Sequence, residues 1–308
     1  MKKTIFLTII FLTGIFMVGN AQLLPSAETM KFYTPEWTGQ RDATGRPMVS
    51  DDLLDRILNL SIEEVWSALR NEKYFCQFEG DWEMLHPDKP FVGRALTAQY
   101  MPSRPDLSKQ IYELGAKEGR IGSSNSWPID MLQKRDVYVA DSYGKIVDGT
   151  LIGDNLGNSI YSKSKNGVVF DGGARDMEGL SEIEGFNAFV RGFDPSYIMN
   201  MMLTGINVPI RIGRATVLPG DVVLAKPEGI VFVPAHLVEK VVLQGEFVVL
   251  RDKFGHEMLR KGVYTPGQID GRWNDEIKAG FLKWLDENPG ELPMSRKELD
   301  EYMEGRTW

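Results

Sequence analysis

Two short segments near the middle of the sequence combine glycine with charged side chains. The first, residues 149–157, reads Gly-Thr-Leu-Ile-Gly-Asp-Asn-Leu-Gly and is typical of a turn that leads into a helix. Asp154 is placed to cap that helix. The amides of Asn155, Leu156 and Gly157 would then be free to bind an anion such as a small carboxylate. An acid at a helix start is more often only a cap, so this segment by itself leaves both interpretations open.

The second segment, residues 170–176, begins in a predicted buried strand and ends in Arg175 and Asp176. Ligand sites of α/β folds lie beyond the carboxyl ends of strands, although adjacent Arg and Asp residues are more often simply solvated. Taken with Asp154, oxygen ligands beside an arginine suit a hard cation such as magnesium and an oxyanion next to it. Because Asp176 directly follows Arg175, we expect their side chains to diverge. The guanidinium would then face a ligand oxygen and the carboxylate a cation.

Other catalytic signatures are absent from the sequence. It contains no Gly-x-Ser-x-Gly, no His-Glu-x-x-His, no Walker loop and no Gly-x-Gly-x-x-Gly motif after a strand. The three histidines are scattered, and His236 is expected at a helix start. Cys76, the only cysteine, lies in an apolar run and is predicted to be a buried structural thiol.

The charge balance argues against a nucleic acid as a partner. The 308 residues include 35 Lys and Arg against 43 Asp and Glu, which gives a net charge of −8. Binding to phosphates needs a basic face that displaces counterions. A hydrophobic fraction of 43% is ordinary for a folded protein and predicts a sizeable core.

Residues 1–21 have the pattern of a secretory signal peptide. A Lys-Lys start precedes an apolar run over residues 4–18, and Gly19 and Ala21 stand at the −3 and −1 positions before Gln22. The run is shorter than the roughly 20 residues that span a bilayer, which favours cleavage over an uncleaved anchor. We therefore expect a mature protein that begins at Gln22, has no stable membrane anchor and is periplasmic or secreted.

Hydrophobic periodicity predicts the elements that would position the two segments. Residues 22–90 are predicted to form an N-terminal arm followed by helices over 52–60 and 65–69, the second opened by a capping box at 61–64. Strands and helices then alternate. The predicted strands are 91–100, 136–140, 167–170, 208–212, 221–225 and 230–233, and the predicted helices are 107–118, 155–164 and 235–243.

The sequence thus predicts an α/β fold in which residues 91–245 form the central domain. Residues 246–308 change in character and are charged and amphipathic, which is typical of a helical C-terminal extension rather than a second domain.

Several motifs together carry a resemblance to a known family. Twenty residues separate Asp154, in Gly-Asp-Asn-Leu, from Arg175-Asp176, and the segments 217–223 (Val-Leu-Pro-Gly-Asp-Val-Val) and 228–234 (Glu-Gly-Ile-Val-Phe-Val-Pro) follow. In these features the chain resembles the RraA-like proteins and the 4-hydroxy-4-methyl-2-oxoglutarate aldolases. The resemblance implies a layered β core flanked by helices. It also implies a homotrimer or hexamer with sites near the subunit boundaries.

The resemblance also implies a binding role for the glycine-rich loop. In the aldolases of this family, the amides at the positions of Gly153, Asn155 and Leu156 hold the carboxylate of a pyruvate-like ligand. The position of Arg175 faces the keto oxygen of that ligand.

Two carboxylates complete the set of roles that the resemblance implies. The position of Asp176 carries the divalent metal, Mg²⁺ or Mn²⁺, and that of Asp154 holds a water for proton transfer. Gly179 stands where the aldolases carry an acid, and the nearest acid, Glu178, comes one residue earlier. We therefore expect weak metal binding without substrate.

These roles imply a class II, metal-dependent lyase. Its reaction would be retro-aldol cleavage or decarboxylation of a 2-oxo dicarboxylic acid to give pyruvate, because magnesium and Arg175 would stabilise an enolate without a Schiff-base lysine. The alternative is a noncatalytic RraA-like binding or regulatory protein in the periplasm. Relatives that regulate a ribonuclease lack the aspartate matching Asp176, which favours the enzyme.

Overall fold

Strands and helices alternate along residues 23–304, the part of the chain that the computed structural model describes. The predicted signal peptide and Gln22 lie outside these residues. The strands are β1 (Phe78–Glu79), β2 (Glu83–Met84), β3 (Phe91–Pro102), β4 (Asp136–Thr150), β5 (Val168–Ala174), β6 (Ala188–Phe193), β7 (Met201–Ile206), β8 (Ile210–Ile212), β9 (Ala215–Val217), β10 (Val222–Lys226) and β11 (Gly229–Val233). The α-helices are α1 (Ala27–Tyr33), α2 (Asp51–Leu58), α3 (Ile62–Asn71), α4 (Pro105–Lys117), α5 (Trp127–Asp130), α6 (Asp154–Ser164), α7 (Met177–Ser181), α8 (Val238–Arg260), α9 (Pro266–Ile269), α10 (Asp275–Glu287) and α11 (Arg296–Met303).

A nine-stranded mixed sheet organises the fold. Its main path runs β1-β11-β10-β3-β4-β5-β6-β2, and β7 pairs with the far end of β3. The central strands β3, β4, β5 and β6 are parallel to one another, whereas β10, β11 and β1 at one end of the path and β2 at the other pair in antiparallel fashion. β8 and β9 form a separate hairpin. The predicted α/β fold with flanking helices is confirmed.

Helices and the hairpin cover the two faces of the sheet. Tyr138 and Phe170 point to one face, where they meet Trp127 and Ile160 from the helical layer. Val137 and Val139 point to the opposite face and pack against the β8–β9 hairpin. Helices α2, α3 and α8 cover β10 and β11. The alternation along β4 thus supplies apolar side chains to both layers.

Five strands, β1, β2, β6, β7 and β9, are absent from the sequence prediction. In β6 the charged residue Arg191 interrupts the apolar pattern. The fold provides two partners for the charged side chain of this arginine. Its Nε donates to Asp171 Oδ1 at 2.7 Å, and its guanidinium lies 3.9 Å from the ring centre of Trp82. Paired and stacked in this way, a charged residue fits a half-buried strand.

The N-terminal arm is anchored by a buried arginine. Arg46 is fully buried, and its guanidinium contacts Asp136 Oδ2 at 2.8 Å and Asp42 Oδ2 at 3.2 Å. Asp136 is the first residue of β4, and Arg94 Nε approaches its other carboxylate oxygen at 3.7 Å. Burial raises the pKa of Asp136, and the Arg46 guanidinium opposes that rise. The arm is therefore held to the start of the central sheet by compensated buried charges.

Helix α8 joins the central domain to the C-terminal extension. The boundary predicted between residues 245 and 246 falls inside this continuous helix. Arg56 of α2 donates to both carboxylate oxygens of Glu246, at 2.9 and 2.6 Å, and also to Glu298 of α11. Phe254 of α8 packs on Phe281 of α10 inside an aromatic cluster. The extension is helical, as predicted, but shares its first helix with the core.

Cys76 is exposed, so the prediction of a buried thiol is wrong. It follows α3 in a segment that begins at Lys73, whose φ is 67°, and Tyr74 and Phe75 are exposed as well. The two aromatic residues just before the cysteine thus face solvent rather than the core. His236 lies in a 3-10 turn that leads into α8, as predicted. Among the helices described, none is long and apolar enough to cross a membrane.

Candidate active site

The two segments singled out in the sequence lie side by side at the carboxyl ends of β4 and β5. The amide of Leu151 donates to the carbonyl of Gly173 at 3.0 Å, and the amide of Arg175 donates to the carbonyl of Ile152 at 3.0 Å. These backbone bonds join the loop after β4 to the loop after β5. The glycine-rich loop and the Arg175–Asp176 pair therefore belong to one site.

Gly153 allows the two loops to approach each other. A Cβ atom at this position would lie 2.1 Å from Asp176 Oδ2 and 3.3 Å from Arg175 Nε. The first of these distances is far inside van der Waals contact, so any side chain here would displace the carboxylate. The glycine is thus required for the close packing of Asp176 against the loop.

The side chains of Arg175 and Asp176 do not diverge as expected. Arg175 Nη1 lies 3.6 Å from Asp176 Oδ2, and the two side chains are 41% and 37% exposed. Asp176 adopts the left-handed conformation, with φ 56° and ψ 46°, just before α7. The prediction assumed an ordinary backbone, whereas this turn keeps both side chains on one side. A ligand would meet the cation and the carboxylate together.

Asp154 does not cap α6 in the way the sequence suggested. Gly153 occupies the cap position, and Asp154 is the first helical residue, with its Oδ1 accepting from the Asn155 amide at 2.7 Å. The Gly157 amide bonds to the Gly153 carbonyl at 2.9 Å. Three amides were expected to bind an anion. Of these, the amide of Leu156 forms no hydrogen bond with any described residue. A carboxylate ligand would have to displace Asp154 Oδ1 to reach the Asn155 amide.

A cavity of about 550 Å³ opens over these loops. Arg175, Asp154 and the glycine-rich loop form one wall; Asp176 is not one of the lining residues, although its carboxylate lies 3.6 Å from Arg175 Nη1. The other lining residues come from the turn before α5, the end of β4 and the loop after β6; they are Ser123, Asn125, Ser126, Thr150, Tyr197 and Ile198. The cavity therefore has one arginine and many uncharged hydrogen-bonding groups.

Sequence reasoning missed Asn125 and Tyr197, which face the cavity. Asn125 is buried, and its Nδ2 donates to the carbonyl of Leu151 at 2.7 Å, which holds the glycine-rich loop in place. Tyr197 is 63% exposed at the mouth. Both residues lie in irregular segments that carry no periodicity or motif, so the sequence held no signal for them.

Gly179 leaves space for Asp154 rather than supplying a ligand. A Cβ atom at Gly179 would lie 2.9 Å from the Cβ of Asp154 and 3.2 Å from its Oδ2. Glu178 is exposed on α7. Within residues 23–304, no three His, Cys, Asp or Glu side chains converge on a point that could hold a metal ion. Among the described residues, Asp176 is the carboxylate that pairs with Arg175, at 3.6 Å.

Solved structures show the same fold. An uncharacterized protein from Pseudomonas syringae superimposes with a TM-score of 0.60 at 23% identity, over 76% of this chain and 98% of that one. RraAS2 of Streptomyces coelicolor, described as an unusual member of the RNase ES inhibitor RraA protein family, gives a TM-score of 0.55 at 24% identity, over 70% of this chain and 98% of its own.

A sequence relative and a family model complete the comparison. Protein DlpA of Legionella pneumophila is 26% identical over 195 residues, which are 62% of this chain but 29% of DlpA, so the chain spans less than a third of that protein's length. The RraA-like family model, described as Aldolase/RraA, matches residues 52–232. Since that match covers more than half of the sequence, the chain belongs to the RraA-like family.

Proposed function

We propose that this protein is a divalent-metal-dependent lyase that breaks a carbon–carbon bond of a 2-oxo acid carrying a second carboxylate and releases pyruvate. The observation that carries the proposal is that Arg175 and Asp154 line one solvent-open cavity at the strand ends, with Asp176 Oδ2 3.6 Å from Arg175 Nη1. An arginine beside a carboxylate and an anion-binding loop suits a substrate with adjacent carboxylate and keto groups.

Arg175 would act on the charge that develops during the reaction. The bond that breaks joins the carbon next to the keto group to the carbon beyond it. Its electron pair stays on the first of these carbons and is delocalised onto the keto oxygen, as an enolate. The guanidinium would donate to the keto oxygen, and its positive charge would stabilise the enolate more than the uncharged keto group of the substrate. The Leu156 amide would receive the neighbouring carboxylate.

Asp154 would serve proton transfer. Its Oδ1 is engaged by the Asn155 amide at 2.7 Å, which orients the carboxylate at the start of α6. Oδ2 can then hold a water near the reacting carbon. In retro-aldol cleavage that water accepts the proton of the substrate hydroxyl, and it returns a proton to the enolate carbon.

The family implies a divalent metal, and Asp176 is the residue that would hold it. Magnesium retains several waters and is commonly bound by one or two carboxylates together with substrate oxygens, so one exposed carboxylate beside a 2-oxo acid fits. The missing Cβ of Gly153 provides the room in which Asp176 Oδ2 lies. When bound, the cation would withdraw negative charge from the keto oxygen.

The direct experiment is a pyruvate-release assay with oxaloacetate and with 4-hydroxy-4-methyl-2-oxoglutarate, each with Mg²⁺ and then with chelator. Release above the rate without protein, lost on chelation, supports the lyase. A noncatalytic binding protein is the second candidate, and the lack of a converging metal-ligand group among the described residues favours it. Oxalate binding without any turnover of either substrate would support that candidate.

Metal and ligand binding should depend on each other through Asp176. We expect Mg²⁺ to bind weakly to the free protein and at least about fivefold more tightly with oxalate, a stable mimic of the 2-oxo acid. Asp176→Asn should remove this coupling, because the amide is a poor ligand for the cation. Calorimetric titration of Mg²⁺ with and without oxalate measures it. Glu178→Gln is the matched control, and an unchanged coupling in Asp176→Asn would exclude Asp176 as the ligand.

We further propose that the protein is exported. The Lys-Lys start, the apolar run over 4–18 and the small residues before Gln22 support this. Mass spectrometry of the natural protein should find Gln22, or its cyclised form, at the amino terminus. Recovery of a chain that keeps Met1 from the cytoplasm would contradict the proposal.

We also propose a homotrimer or hexamer with the cavity mouth near a subunit boundary. Tyr197, which lines the mouth, is 63% exposed, and three apolar residues close in sequence to lining residues are also exposed: Ile121 (83%), Met177 (47%) and Met199 (42%). Exposed apolar side chains of this kind support an interface near the mouth. Light scattering after gel filtration should give three or six times the mass of the chain, and a monomer at micromolar concentration would contradict the assignment.

A further inference from the structure

A second cavity, of about 230 Å³, lies at the opposite end of the central sheet from the candidate active site. It is closed by the arm just after α1, the segment after α3, and the turns on either side of β10 and β11. Val222 of β10 pairs with Arg94, which in turn pairs with Asp136 at the amino end of β4. The active-site cavity lies at the carboxyl ends of β4 and β5, so the two cavities are separate.

Aromatic side chains form much of the wall of this second cavity. Tyr33 and Trp37 come from the arm, and Tyr74 comes from the segment after α3. The Tyr74 hydroxyl lies 3.4 Å from His236 Nε2, and their ring centres are 6.2 Å apart. The Trp37 indole nitrogen donates to the Gln40 carbonyl at 2.9 Å, which fixes that ring in the arm. Ring faces carry partial negative charge and attract cations.

Two carboxyl groups line the same cavity, and none of its lining residues is a lysine or an arginine. Glu36 is exposed at the entrance, whereas Asp221 is only 3% exposed. Asp221 Oδ2 accepts from the Leu218 amide at 2.8 Å, a bond that closes the Pro-Gly-Asp turn. The amide of Ala235 also stabilises this carboxylate. Neither backbone partner accounts for the aromatic wall or for Glu36. A buried carboxylate without a counter-charge is unfavourable, so such a group either stays protonated or ionises together with a bound cation.

We propose that this cavity binds a small organic ammonium ion, held between the aromatic rings by Asp221 and Glu36. A primary alkylammonium offers three N–H donors to the carboxylates and an apolar stem to the rings. The volume suits a ligand of few heavy atoms. Within the described residues no metal-ligand group forms here, which favours an organic cation over a metal ion. The proposal is independent of the lyase activity.

The pKa values of the lining groups predict a proton signature. Burial raises the pKa of Asp221 to about 8, so this carboxyl is largely protonated at pH 7 without ligand. Burial lowers the pKa of His236 and raises that of Tyr74, so both remain neutral at that pH. Glu36 and Tyr33 are the other ionisable lining groups, and the Arg41 guanidinium packs behind the arm segment, on the carbonyls of Thr34 and Trp37. Binding of a cation should therefore release a proton from Asp221.

The test is calorimetric titration of the whole protein with butylammonium at pH 7. We expect saturable binding of one ion per chain, with 1-butanol and butanoate at least tenfold weaker, because they lack the positive charge. Repeating the titration in buffers of different ionisation enthalpy should reveal a released proton. Absence of saturable binding, or equal binding of 1-butanol, would overturn the proposal.

Two variants identify the carboxyl groups responsible. Glu36→Gln should weaken butylammonium binding by about threefold to fivefold, since an exposed charge pair is screened by water. Glu63→Gln, an exposed acid on α3 outside the cavity, should leave it unchanged. Asp221→Asn should abolish binding and proton release. If that variant fails to fold, Glu36→Gln and its control decide, and an equal effect of Glu36→Gln and Glu63→Gln would refute the site.

Discussion

Replacing Arg175 by alanine is expected to lower the rate of pyruvate release by about a hundredfold, which corresponds to roughly 3 kcal/mol of lost transition-state stabilisation. The guanidinium is the one cation among the residues that line the cavity, and it sits at the carboxyl ends of the parallel strands. Without it, the enolate oxygen would lose its charged hydrogen-bond donor. The measurement is steady-state turnover of oxaloacetate at saturating Mg²⁺.

Further variants separate this effect from a change of fold. Arg175→Lys should recover part of the rate, because lysine keeps the charge but lacks the planar fork. Arg104→Ala is the matched control, since the Arg104 side chain is 72% exposed and pairs with Asp106 outside the cavity. Turnover of Arg175→Ala within a few-fold of the unaltered protein would place the chemistry elsewhere.

Replacing Arg46 by methionine is expected to lower the free energy of unfolding by about 3–5 kcal/mol. Methionine keeps much of the side-chain volume but removes the charge that compensates Asp136 and Asp42. Asp136 is fully buried, so its carboxylate would lose the partner that lies at 2.8 Å. Urea denaturation followed by circular dichroism gives the measurement.

A double variant tests the electrostatic explanation. Arg46→Met combined with Asp136→Asn should recover a large part of the lost stability, because the buried carboxylate is then neutral. Lys297→Ala, in the exposed pair with Glu301, should change stability by less than about 1 kcal/mol. A loss for Arg46→Met no greater than that of the control would show that the arm is not held by this charge network.

Local features of the sequence were sufficient to predict several elements. The capping box is present: Ser61 Oγ accepts from the Glu64 amide, and the Glu64 side chain accepts from the Ser61 amide. The α/β fold and the family are confirmed as well. Both could be predicted because periodic apolar residues and motifs of fixed spacing depend on neighbours along the chain. The roles of Arg175 and Asp176 remain predictions.

Other features depended on residues distant in sequence. Arg191 belongs to a strand because Asp171 and Trp82 accommodate it, and Cys76 is exposed because its segment leaves the core after α3. Nothing near Asn125 in sequence indicates that its amide holds the loop at residue 151. These outcomes arise from the packing of elements that only the folded chain brings together.

The sequence by itself therefore determined the fold class, the family and the two segments that carry the charged groups. The tertiary structure alone decided that the two segments form one site, through hydrogen bonds between the loops after β4 and β5, and that Asp176 packs against Gly153. It also brought Asp221 and Glu36 to one aromatic cavity. The physical reason is that periodicity and capping are local properties, whereas the distance between two side chains depends on how the whole sheet and its helices pack.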